Sequence, residues 1–190
     1  MRNQKISGRY PACFCLIMTT LLLSQLSVAQ KIAKDSLWSP FKNFTGSWTG
    51  TGEGEPGKGS YQRSFTFIFN GTFLEIKNRS VYPPSPANNN KEEVHEDIGY
   101  VSYDRSRKTF ILRQFHKEGF VNQYKLDSIS PDRKTLVFVT ETIENIPAGW
   151  QARETWQFTG ATTFTETFEL AEPGKAFSVY TKTMFDKAVK

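Results

Sequence analysis

Residues 92–128, EEVHEDIGYVSYDRSRKTFILRQFHKEGFVNQYKLDS, decide the fold. They read as three short strands, because β-branched and aromatic residues recur at every second position and two turn-forming stretches interrupt them. A tight turn at Asp104-Arg105-Ser106-Arg107 sets Val101 opposite Phe110, Gly99 opposite Leu112, Asp97 opposite Gln114 and His95 opposite His116. A three-residue turn at Lys117-Glu118-Gly119 continues the same face through Phe120, Asn122, Tyr124 and Leu126. That face carries Val101, Phe110, Leu112, Phe120 and Leu126, so it is the inward one. The other face offers Arg113, Gln123, Lys125 and Asp127, with Ile111 and Phe115 as exceptions. A slip of one residue would invert the assignment.

The same rhythm runs outward in both directions. Ten strands are expected at 47–55, 60–69, 72–82, 92–103, 108–116, 120–128, 134–143, 150–159, 162–171 and 176–187. Asn70-Gly71 is the strongest hairpin signal, since both residues tolerate positive φ. Ser130-Pro131-Asp132 and Glu172-Pro173-Gly174 are turns by similar chemistry. No stretch holds a 3.6-residue period, and no connection is long enough for a crossover helix, so the strands are antiparallel. Closure removes the two edges an open sheet would expose. The fold class is therefore all-β: a single ten-stranded antiparallel up-and-down closed barrel. Ser39-Pro40 starts a short N-terminal helix at one end, with Phe41 and Phe44 on one face and Gly46 ending it.

Ahead of this domain lies a different kind of segment. Arg2, Lys5 and Arg9 precede an apolar run from Ala12 to Leu26, and Ser27-Val28-Ala29 supplies small residues for cleavage. Residues 1–29 are read as a secretory signal peptide. The alternative is a membrane anchor, but the run is short against the roughly 20 residues a span requires. Residues 30–36 form a loose N-terminal segment, and 37–190 the barrel domain. The expected location is secreted, in the periplasm, with no stable membrane span after cleavage. Both cysteines, Cys13 and Cys15, fall in the leader, so the mature core has no disulfide to rely on. Cleavage leaves 21 basic against 19 acidic side chains, a net +2. That balance implies no nucleic-acid partner. About 160 residues is one domain's worth of chain.

In a meander, alternate connections share an end. Asn70-Gly71, Asp104–Arg107, Ser130–Arg133 and Gly160-Ala161 are tight and gather at one end with the short helix. The opposite end collects longer connections rich in Gly and Pro, including the stretch from Pro83 to Asn90. Function prefers variable loops on a rigid scaffold, so the loop-rich end is the mouth. His95 and His116, the two histidines beyond the leader, are expected as cross-strand neighbours near it, their Cβ atoms roughly 5 Å apart. Asp97, Gln114, Asn122 and Tyr124 lie just below, and the wall is expected to turn apolar further down. This is the pattern of a small-molecule pocket.

Other chemistry competes with that reading. His95 and His116 with Asp97 have the types of a zinc or iron site, set against a plain hydrogen-bonded rim pair. An enzyme would use His116 or Asp97 for proton transfer, yet no partner nucleophile stands out. Glu166 alternates with Phe164, Phe168 and Leu170. If inward, it sits opposite Thr181 and needs a cation, with Arg153 or Arg113 as candidates. The run Gly52-Glu53-Gly54-Glu55-Pro56-Gly57 is not a dinucleotide loop. Two carboxylates would repel a pyrophosphate, and a strand rather than a helix follows.

The opening Gly46-Ser47-Trp48-Thr49-Gly50-Thr51-Gly52-Glu53-Gly54 resembles the first strand of nitrobindin-like proteins. Those are haem-binding ten-stranded barrels of the calycin group, related to fatty-acid-binding proteins and lipocalins. Ile98–Asp104 and Glu166–Leu170 also resemble small secreted bacterial barrels of unassigned function. The resemblance implies the barrel and a lumenal ligand. It implies haem less well, because the family's ligating histidine lies near the C-terminal strands and no histidine follows His116 here. Tyr180 and Met184 in the last strand do not match that role. The expected function is non-catalytic binding of a small apolar or amphipathic ligand, with a haem or metal barrel using His95 and His116 as the alternative.

Overall fold

The computed structural model describes residues 36–189, so the expected leader over 1–29 and nearly all of segment 30–36 lie outside the described residues. Among the described residues the chain forms ten antiparallel strands: β1 (Gly46–Gly54), β2 (Gly59–Ile68), β3 (Phe73–Tyr82), β4 (Glu93–Asp104), β5 (Thr109–His116), β6 (Val121–Ile129), β7 (Thr135–Glu144), β8 (Gln151–Phe158), β9 (Thr163–Ala171) and β10 (Ser178–Lys187). Each strand pairs with its sequence neighbours, and β1 pairs with β10, which closes the barrel. Helix is scarce. Ser39–Phe44 is a 3-10 helix whose last two residues belong to the same compact unit as the barrel. A second 3-10 turn, Pro86–Asn88, gives the proline-asparagine stretch local structure.

The inward face has the expected parity, but the pairing between β4 and β5 is displaced by two residues. His116 faces Asp97, not His95, and Gln114 faces Gly99. The cause lies in the turn. Lys108 takes a left-handed backbone (φ 52°), and the four-residue connection falls one residue later than read, at 105–108, so that Thr109 pairs with Asp104. A shift of two keeps every side chain on its face. The three-residue turn after His116 forms as read, with His116 N–H donating to the Phe120 carbonyl. The Asn70-Gly71 hairpin is wider than expected: Phe69, Asn70 and Gly71 all have positive φ, and the last pair is Ile68 with Phe73.

Inside, the barrel is filled in tiers. At the tight-turn end Phe44 packs against Phe65, Trp156, Phe158 and Phe164, with ring centroids 4.4–5.5 Å apart. The Trp48 indole N–H donates to the Phe44 carbonyl at 2.6 Å, tying the approach to β1 onto the first inward side chain. Above Trp48, the inward positions of β1 are Gly50 and Gly52. A Cβ at Gly50 would lie 2.6 Å from the Met184 carbonyl oxygen and 2.8 Å from the Phe185 ring. One at Gly52 would meet Thr183 and the Tyr61 ring. The glycines thus clear lumen volume that side chains from β2 and β10 occupy.

Gly50→Ala is expected to destabilise by about 1–3 kcal/mol, because the backbone carbonyl it meets cannot yield. The outward Thr51→Ala is expected to stay within about 0.5 kcal/mol. Urea midpoints measure both. Equal, small losses would show that the glycines do not set the lumen's dimensions.

Candidate functional site

A buried polar layer lies above the aromatic end. Inward alternation along β2 places Arg63 between Tyr61 and Phe65, with its side chain buried. Its guanidinium forms a two-pronged pair with Glu166 of β9, one bond to Oε2 and the other to Oε1 at 2.9 Å. The guanidinium also lies 4.8 Å from the centroid of the Phe185 ring. Glu166 faces Thr183, not Thr181, because a bulge between Val179 and Thr181 shifts the β9–β10 register. The expected partners of Glu166 are engaged elsewhere. Arg153 points outward and pairs with Glu169 at 2.6 Å. Arg113 reaches Ser102 at 3.4 Å.

From Arg63 the network runs in two directions. Its Nε donates to Asn78 Oδ1, and Asn78 Nδ2 donates to Asp97 Oδ1 at 2.6 Å. Burial, with the charge of Glu166 added, pushes the Asp97 carboxyl up to about 6, against the opposing Asn78 bond and Arg63 charge. On β8 the inward Glu154 is buried and accepts the Trp156 indole N–H at 3.0 Å. The Gln114 and Tyr124 side chains lie close beside its carboxyl group. Desolvation, reinforced by the charges of Glu166 and Asp97, pushes Glu154 up to about 8, so it is mostly protonated at neutral pH. Burial raises Tyr124 well above its ordinary range too.

The histidines stand higher. His116 stacks on Phe120 at 4.1 Å, and its Nε2 is 3.4 Å from Asn122 Nδ2. Burial pulls His116 down to about 4, so its ring is neutral. His95 sits at the rim, with Nδ1 2.6 Å from Glu118 and Nε2 3.1 Å from Glu93. Among the described residues no three His, Cys, Asp or Glu side chains gather in a metal-holding group.

An apolar cavity of about 350 Å³ opens at the loop-rich end, above Asn122. Phe120 and Phe168 form its inner wall, and Ile146, Pro147 and Trp150 of the β7–β8 connection form its outer wall. Two larger concavities, of about 680 and 850 Å³, are lined mostly by outward side chains of the strands. They are grooves on the wall rather than the lumen.

The structure therefore gathers Asp97, Gln114, Asn122, Tyr124, His116 and Glu166 on one inner surface and leaves His95 at its rim. The expected descent into apolar wall is interrupted: a charged layer separates the mouth from the aromatic end. Arg63 and Glu154 went unread in the sequence. Both were visible as polar interruptions of inward apolar alternation, Tyr61-Arg63-Phe65 and Ala152-Glu154-Trp156, the signal that picked out Glu166.

The chain has the fold of a closed ten-stranded antiparallel β-barrel. It is similar to the crystal structure of Rv2717c from M. tuberculosis at 12% identity and a TM-score of 0.58, over 80% of this chain and 98% of that one. That degree of likeness shows the fold alone. A fluorescence-activating β-barrel designed de novo aligns at 10% identity and a TM-score of 0.39, over 77% of this chain and 95% of its own. No protein-family model matches the chain, and no curated protein matches it.

Between pH 6.5 and 8 stability is expected to fall with rising pH. Glu154 keeps its proton in the folded state (about 8) and loses it near 4.3 when unfolded, so the unfolded chain binds fewer protons across this window. His116 acts with the opposite sign, but only below 6.5, where the unfolded ring charges and the folded one does not. The slope from Glu154 is at most about 1.4 kcal/mol per pH unit. Glu154→Gln is expected to flatten it in denaturation series at each pH. An unchanged slope in the variant would exclude Glu154 as its source.

Proposed function

We propose that the protein is a secreted, periplasmic, non-catalytic barrel of nitrobindin-like, calycin type that binds a small apolar or amphipathic ligand at the mouth of its lumen. The observation that carries this reading is the apolar cavity of about 350 Å³ between Phe120, Phe168 and the Trp150 loop, floored by Asn122. Its volume falls within the range of small-molecule pockets, and an apolar body with few polar groups is their usual lining. No nucleic-acid partner fits a mature charge near +2. No helix among the described residues is long and apolar enough to cross a membrane, a statement that says nothing of strands.

The alternatives find less in the geometry. For proton transfer, Asp97 and His116 are cross-strand neighbours, but among the described residues no hydrogen bond joins them: Asp97 accepts from Asn78, and His116 Nε2 lies by Asn122. For haem or a metal, the donor set does not fit. His95 has both ring nitrogens against carboxylates, His116 lies flat on Phe120, and the outward Met184 is far from any lumenal role.

Nile red, a neutral polarity-sensitive dye, tests the reading. Its emission is expected to rise and shift to the blue with saturation at one dye per chain. Trp150→Ala and Ile146→Asp are expected to weaken binding by about tenfold or more, with far-ultraviolet circular dichroism unchanged. No response from the intact chain would sink the proposal. A hemin Soret shift abolished by His116→Ala would replace it with the haem reading.

A further inference from the structure

The polar floor of the mouth has a direction. Asn122 Nδ2 donates to the Tyr124 hydroxyl at 2.9 Å and lies 3.4 Å from His116 Nε2, while the Tyr124 ring stands beside Glu154. The Gln114 side chain lies beside the same carboxyl group, which accepts the Trp156 indole N–H. Asn122 turns its amide N–H to this side, toward Tyr124 and the His116 ring. What remains unpaired is acceptor. Asn122 Oδ1 and Gln114 Oε1 are buried without a hydrogen-bond partner, and the two residues are direct cross-strand neighbours. A buried amide oxygen left unpaired is costly, so a ligand that supplies a donor gains disproportionately.

The charge around the floor agrees. Asp97, Glu154 and Glu166 lie around Arg63, the one buried cation among the described residues, and both ends of its guanidinium fork are spent on Glu166. An arriving carboxylate would find no free cation and several carboxyl groups. An arriving ammonium or hydroxyl would find two waiting oxygens.

We infer that the ligand is an amphipathic molecule whose polar end is a hydrogen-bond donor, an ammonium or hydroxyl group, directed at Asn122 Oδ1 and Gln114 Oε1, with its apolar body against Trp150, Ile146 and Phe168. This rests on the lumenal-binding reading above and narrows it to a head-group class that excludes fatty acids.

Four probes of one shape test it by titration calorimetry: 4-phenylbutylamine, 4-phenylbutanol, 4-phenylbutyrate and n-butylbenzene. The amine and the alcohol are expected to bind about tenfold or more tightly than the hydrocarbon, and the carboxylate most weakly. Asn122→Leu and Gln114→Met are each expected to erase most of that preference while n-butylbenzene still binds, which also reports that the pocket is intact. Carboxylate binding as tight as amine binding, with the hydrocarbon still bound, would overturn the donor inference and leave the lumenal site standing. Binding of none of the four would overturn both. A preference that survives both variants would overturn the assignment to these two oxygens.

Discussion

Among the described residues Arg63 is the one cation buried in the barrel, and it reaches from β2 to β9 across the two strands that join them. That bridge needs β1 to present almost nothing inward, which Gly50 and Gly52 provide. It needs Glu166 to be fixed, which the β10 bulge and the Thr183 pairing accomplish. Once in place, the guanidinium hands its remaining bond to Asn78, and through Asn78 it orients Asp97. The glycine-rich opening strand, which looks like a phosphate loop on paper, is therefore a cavity-shaping device for an ion pair.

Such a pair is weak evidence for stability. Desolvating both ions offsets much of their attraction, and well-packed apolar replacements are often neutral or better. The geometry gives it another consequence. The layer built around it separates the aromatic end from the cavity at the loop-rich end, so in the proposed reading a ligand would stop at Asn122. Depth and polarity of the site are set together by one layer of side chains.

The strand pattern was legible because each wall segment keeps its apolar residues at every second position and ends in turn chemistry. Every strand lies within two residues of its expected bounds. Facing was legible for the same reason, since Val101, Leu112 and Leu126 can only be buried on one side. Register was not. With Lys108 left-handed, one four-residue turn falls a residue later than read, and bulges between Val179 and Thr181 and between Gln123 and Tyr124 displaced others. Those are decisions of single backbone dihedrals with little composition signal. Arg63 was missed for a different reason: its immediate neighbours, Gln62 and Ser64, are polar, so the segment looks like solvated wall unless only alternate residues are compared. Partner choice for Glu166 was beyond reach, because residues 103 positions apart meet only once the barrel has closed.

Near neutral pH the layer approaches electrical balance by holding a proton, not by adding a cation. Arg63 and Glu166 offset one another, Glu154 keeps its proton up to about 8, and Asp97 ionises only above about 6. Protonated Glu154 still accepts from Trp156 through one oxygen and carries a donor of its own on the other. Beside it the amide oxygens of Asn122 and Gln114 are buried without a hydrogen-bond partner. Charge state and unpaired acceptors are thus two expressions of one arrangement: a carboxyl group and two amides placed where water does not reach.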